Sequence, residues 1–128
     1  MRILQPPGWP RPSGYANGVL AAGRQVFVAG QIGWDADRRF HSDDFVEQLR
    51  QALANTLAVL AEAGAGPGQV VRMTWYVTDK REYLARAAEV GAAYREVMGK
   101  HYPAMTLVQV SALLEDRAKL EIETTAMV

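Results

Sequence analysis

Only two stretches of this chain repeat apolar residues at helical spacing, whereas five alternate them at strand spacing. That imbalance limits what the chain can build, because two helices can cover only one face of a five-stranded sheet. The first helical stretch follows Ser42-Asp43-Asp44, a capping hydroxyl and carboxylates suited to the positive end of a helix. It runs to about Ala63, with Phe45, Leu49, Leu53, Leu57 and Leu60 in one stripe and Gly64 as terminator. The second starts after Asp79, whose spacing to Glu82 fits a capping box, and runs to about Met98. Leu84, Ala87, Ala88, Gly91, Tyr94 and Met98 give it a narrow stripe of mostly small residues, before Gly99 and Pro103 end it.

The strand-like runs surround these helices. Ala16 to Ala22 and Gln25 to Gly33 are separated by a Gly23-Arg24 turn, which predicts a hairpin. Gln69 to Thr78 alternates most clearly, with Val71, Met73, Trp75 and Val77 on one side and Arg72, Thr74, Tyr76 and Thr78 on the other. The last two runs, Met105 to Leu113 and Lys119 to Ala126, flank Glu115-Asp116-Arg117 and predict a second antiparallel hairpin. In the final run Leu120, Ile122 and Ala126 share a face opposite Glu121, Glu123 and Thr125. Residues 1–13 carry Pro6, Pro7, Pro10 and Pro12, and should be extended. The order β-β-α-β-α-β-β predicts a single α+β domain over residues 1–128, with a mixed sheet and both helices on one face. The other face then needs a cover, and a second copy of the chain is the expected one.

Composition removes several functions. Acidic and basic residues balance at 14 each, so no strong field draws the chain to nucleic acid or an anionic membrane. With no cysteine there is no thiol nucleophile, thiolate metal site or disulfide, which fits a cytoplasmic setting. No run has the length of a membrane span, and the N-terminus lacks the apolar core of a signal peptide. His41 and His101 stand sixty residues apart, outside any ligand pair, and no metal is expected. Ser13, Ser42 and Ser111 lack a nucleophile-elbow context, and Gly64 to Gly68 follows a helix where a phosphate loop would precede one. Gly30, inside a strand, marks either a bulge or a close approach by another group. Glu121 reads as a solvated strand carboxylate or, inside a subunit cleft, as a general acid or base.

Several pieces together resemble one family. Gly14-Tyr15, Phe27-Val28-Ala29-Gly30-Gln31-Ile32, Tyr76-Val77-Thr78-Asp79, Pro103-Ala104, the Val-Gln-Val run and Leu120-Glu121-Ile122-Glu123 resemble the Rid proteins (YjgF/YER057c/UK114) over about residues 14 to 127. The resemblance implies a chorismate-mutase-like domain that forms homotrimers around a central barrel, with small-molecule clefts between subunits. It implies hydrolytic deamination of enamines or imines without metal or organic cofactor. By that resemblance the cleft would be lined by Tyr15, Ala29, the Gly30 backbone, Gly91, Met105 and Leu107, with Glu121 handling protons.

The departures matter. Met105 stands where the family's carboxylate-gripping arginine is expected, Ala29 where its serine is, Leu107 where a cysteine is common, and Gly91 where an asparagine is. A guanidinium gives a carboxylate a planar two-point clamp, and methionine cannot. Such a cleft is expected to take a larger or less charged molecule than 2-aminoacrylate, with Trp34, Trp75 or Tyr15 as walls. Two readings stay open, a hydrolase acting on C=N or C–N bonds and a non-catalytic binding trimer. An endoribonuclease or translation inhibitor is a third, opposed by the balanced charge and by the lack of paired catalytic histidines.

Overall fold

A computed structural model describes residues 1–128. Two strands, β1 (Arg2–Leu4) and β2 (Gly18–Leu20), pair antiparallel as a separate ribbon. The main sheet contains β3 (Gln25–Ile32), β4 (Val70–Val77), β5 (Ala104–Gln109) and β6 (Leu120–Met127), in the order β3-β6-β4-β5. The helices are α1 (Phe45–Ala61), α2 (Lys80–Ala85) and α3 (Ala87–Met98). The protein is thus a mixed α+β domain, and no helix is long and apolar enough to cross a membrane.

One face of the sheet forms the core. Val28 of β3, Met73, Trp75 and Val77 of β4, and Leu120, Ile122 and Ala126 of β6 pack against Phe45, Leu49, Leu53 and Leu60 of α1. Val90, Ala93, Tyr94 and Met98 of α3 complete it. Each fully buried aliphatic side chain contributes about 1.5–3 kcal/mol, so the α1 stripe is a main anchor of helix to sheet. Asp44 caps α1 by accepting from the Glu47 N–H at 3.1 Å. Gln48, fully buried, donates to the carbonyls of Ser42 and Arg117 and accepts from the Lys119 N–H. It fastens the start of α1 to the segment that enters β6.

Several local expectations are corrected. The last two strands form no hairpin: β5 pairs parallel with β4, and β6 lies between β3 and β4. The turn at 115–117 sits within the longer connection 110–119, which carries the chain past the end of β4. The strand whose inner face is completely buried takes a place flanked on both sides, and the half-buried β5 takes the edge. The first predicted hairpin is also absent. Ala16 donates to the Pro103 carbonyl at 2.9 Å, which draws residues 13–16 to the β5 edge. The chain must then cross the end of the sheet before β3 begins, where Arg24 and Val128 exchange two backbone hydrogen bonds. So β2 pairs with β1 instead, and part of the proline-rich N-terminal segment becomes a strand.

The second helix is broken at Arg86 (φ −119°, ψ 26°), whose guanidinium bridges Asp44 and Glu89. The break turns the predicted stripe, so Leu84, Ala87 and Ala88 are exposed while Val90 and Ala93 are buried. Nor does a capping box form at Asp79. Its side chain accepts from Arg81 N–H, while Glu82 pairs with Lys119.

Candidate functional site: a cavity beside the sheet edge

Beside the β5 edge, the core face of the sheet opens into a cavity of about 830 Å³. Met105 and Leu107 point into it because they lie beside Met73 and Trp75 of β4 on the helix-covered side. Gly91 of α3 forms the opposite wall, and Ser13, Gly14 and Tyr15 the rim. The Ala16–Pro103 hydrogen bond holds that rim in place, and Gly14 adopts a positive φ of 79° to make the turn. The remaining walls are aromatic. Tyr94 stacks on Tyr102 with ring centroids 5.5 Å apart and lies 6.2 Å from Trp75. The Tyr94 hydroxyl donates to the His101 carbonyl, and burial pushes its pKa well above the usual phenol value. The Trp75 indole N–H is buried without an acceptor.

Glu121 and Gly30 are on the other face of the sheet. Glu121 lies across from Tyr76, between the buried Leu120 and Ile122. A β-bulge interrupts the ladder between Val28 and Gln31, and the Glu121 side chain lies directly over Gly30. A Cβ on Gly30 would fall 2.1 Å from Glu121 Oε2. Gly30 thus combines the bulge with the close approach. The neighbouring Tyr76 hydroxyl donates to Glu123 Oε1 at 2.6 Å, and that carboxylate raises the tyrosine pKa.

Within one chain, then, Tyr15, Gly91, Met105 and Leu107 meet at the cavity, while Ala29, Gly30 and Glu121 share the opposite face. Trp75 lies at the cavity, whereas Trp34 packs on Phe40 with Arg38 over its ring and is not among the lining residues. No group of three or more His, Asp or Glu side chains is placed to hold a metal ion. Sequence reasoning found Tyr15 and Trp75 but missed Tyr94 and Tyr102 as walls, and missed Arg95. Tyr94 lies on the predicted core stripe and is buried, and it also walls the cavity. The spacing from Gly91 to Arg95, one helical turn, was the available signal for Arg95.

A four-stranded mixed sheet, helices on one face and a cavity opening at the sheet edge define a small α+β domain. Its family follows from sequence and structure together. Residues 10–128 match the family described as Endoribonuclease L-PSP. The chain is 34% identical to a RutC family protein of Pyrococcus abyssi, covering 91% of this chain and 89% of that one. It is also 34% identical to a 2-iminobutanoate/2-iminopropanoate deaminase of Salmonella typhimurium, covering 88% and 86%. Among solved structures it resembles the Rid family protein YyfB of Yersinia pestis (TM-score 0.86, 32% identity, 99% and 98% covered). It also resembles Escherichia coli TdcF with bound serine (TM-score 0.71, 32% identity, 100% and 99% covered). The chain belongs to the Rid (YjgF/YER057c/UK114) family.

Proposed function

We propose that the cavity beside β5 is one wall of a small-molecule site, and that the Gly30–Glu121 face of a second subunit closes it. The observation that carries this reading is the division of the site: four expected lining residues share one cavity, while the one candidate acid–base group stands on the opposite face. A closed ring of three subunits would let every cavity meet one such face. The proposed reaction is hydrolytic deamination. Water adds to the carbon of a C=N bond, Glu121 takes and returns the protons, the C–N bond breaks, and a carbonyl compound and ammonia leave. The relative whose name states an imine deaminase activity supports this class. The apolar Met105 and Leu107 favour a bulkier substrate than 2-aminoacrylate.

The test is ammonia release from imines generated in place by an amino-acid oxidase acting on alanine, leucine and phenylalanine. The protein should accelerate hydrolysis of the two bulkier imines, and Glu121→Gln should slow that step by about 100-fold or more. Equal rates for wild type and Glu121→Gln would remove the catalytic role. Binding without any acceleration would instead favour the non-catalytic binding reading.

A further inference from the structure

Arg95 is the only charged side chain lining the cavity. Arg50 pairs with Glu47 and Glu96, and Arg86 with Asp44 and Glu89, while Arg81 of α2 is unpaired but lies away from the cavity lining. The Arg95 guanidinium makes no ion pair and no side-chain hydrogen bond. A last-turn arginine commonly serves its own helix by neutralising the terminal carbonyls. Here the guanidinium turns the other way, back along α3 toward Gly91. A Cβ at Gly91 would stand 3.3 Å from Arg95 Nη1. Glycine at 91 therefore leaves room on the cavity side for the guanidinium, next to the aromatic wall of Tyr94 and Tyr102.

We infer that Arg95 is the anion anchor of this cavity, and that its ligand is a monocarboxylate with an apolar or aromatic body. The inference rests on the cavity being the ligand site. It assigns the carboxylate to the α3 wall and the hydrophobic body to Met105, Leu107 and the tyrosines. Strand β5 then needs no arginine: the cation is supplied from the opposite wall, and the strand offers sulfur and hydrocarbon. A free guanidinium can grip a carboxylate through two parallel N–H donors, the strongest single contact available on this lining.

Titration calorimetry on the full chain tests this with 3-phenylpropanoate and its neutral isostere 3-phenylpropanamide. Wild type should bind the acid roughly tenfold or more tightly than the amide, the range expected for a charge-assisted pair. Arg95→Gln should remove that preference by weakening the acid alone, and Arg95→Lys should keep part of it. An Arg95→Gln protein that still prefers the acid, or loses both ligands equally, would overturn the anchor. Ala88→Trp, which fills the cavity from the α3 wall, separates the two levels. If it leaves both ligands bound as before, the cavity is not the site, and the assignment of Arg95 fails with it. If it abolishes both while wild type shows no acid preference, the cavity stands and only the anchor fails. Wild type binding neither probe at millimolar concentration would overturn both.

Discussion

At the residue scale the most informative position is Gly30. Its missing side chain makes room for the Glu121 carboxylate, because a Cβ would stand 2.7 Å from Glu121 Cδ and 2.9 Å from Cγ as well as meeting Oε2. These distances are below any real contact, so Gly30→Ala must push Glu121 off the sheet. The displaced side chain is flexible and the site exposed, so the fold should survive with a loss of about 1 kcal/mol or less. Catalysis should suffer far more, since a shift of about 1 Å in a positioned group can cost on the order of 100-fold. Comparing thermal midpoints with imine hydrolysis rates checks this. A Gly30→Ala protein as active as wild type would show that the placement of Glu121 is not what the bulge protects.

At the element scale, the joint between α1 and the broken second helix is electrostatic. Asp44 accepts from Glu47 N–H as the α1 cap and receives Arg86 from the α2–α3 break. The Arg86 hydrogen bond holds the Asp44 carboxyl below the usual aspartate range, against a smaller opposing effect of burial. Because the folded pKa is lowered, the fold favours the carboxylate. Its contribution is complete above the ordinary aspartate pKa and disappears as pH falls through the lowered value. The melting-temperature gap between wild type and Asp44→Asn should therefore be widest near neutrality and narrow steadily as pH falls below about 4. A gap that stays constant down to pH 3 would mean that capping geometry, not charge, holds the joint.

The same joint shows what was legible in the sequence. The start of α1 at Ser42-Asp43-Asp44 and its apolar stripe were readable, because both depend on nearby residues, although the cap is the Asp44 carboxylate and not the Ser42 hydroxyl. The alternation of Leu120, Glu121 and Ile122 was equally readable, and their burial follows it. The break at Arg86 was not, because it is stabilised by Asp44, forty-two residues away. Strand partners were misread for the same reason. Alternation tells which way a residue points, but the placing of β6 between β3 and β4, with β5 on the outer side of β4, is decided by which strand buries its inner face completely. The candidate site was half legible: Tyr15, Gly91, Met105 and Leu107 were named, but Arg95, the tyrosine wall and the division between two sheet faces were not.

At the scale of the whole molecule, the surface is larger than that of a typical compact monomer of this mass. A compact monomer of 14.1 kDa should expose about 6,700 Å², and this chain exposes 7654 Å². Two apolar features of that surface have no partner within the chain. The β1–β2 ribbon stands apart from the main sheet with Ile3 and Leu20 more than half exposed, and a two-stranded ribbon is marginal alone. On the face away from the helices, Phe27 is 72% exposed and lies across from Thr125, on the same side as Glu121. If a second subunit covers this face and brings Glu121 to its own cavity, Phe27 is an anchor of the contact and takes no part in the monomer core. Light scattering should then give wild type a mass of about 42 kDa, three times 14.1 kDa. Phe27→Glu should lower it to the monomer mass, leave the far-ultraviolet circular dichroism unchanged and weaken 3-phenylpropanoate binding together with imine hydrolysis. An assembly that survives Phe27→Glu would move the contact to the ribbon, where the cavity would have to be completed without Glu121. A wild-type mass of 14.1 kDa would leave Glu121 and the cavity on opposite faces of one chain, with no reaction that both could serve.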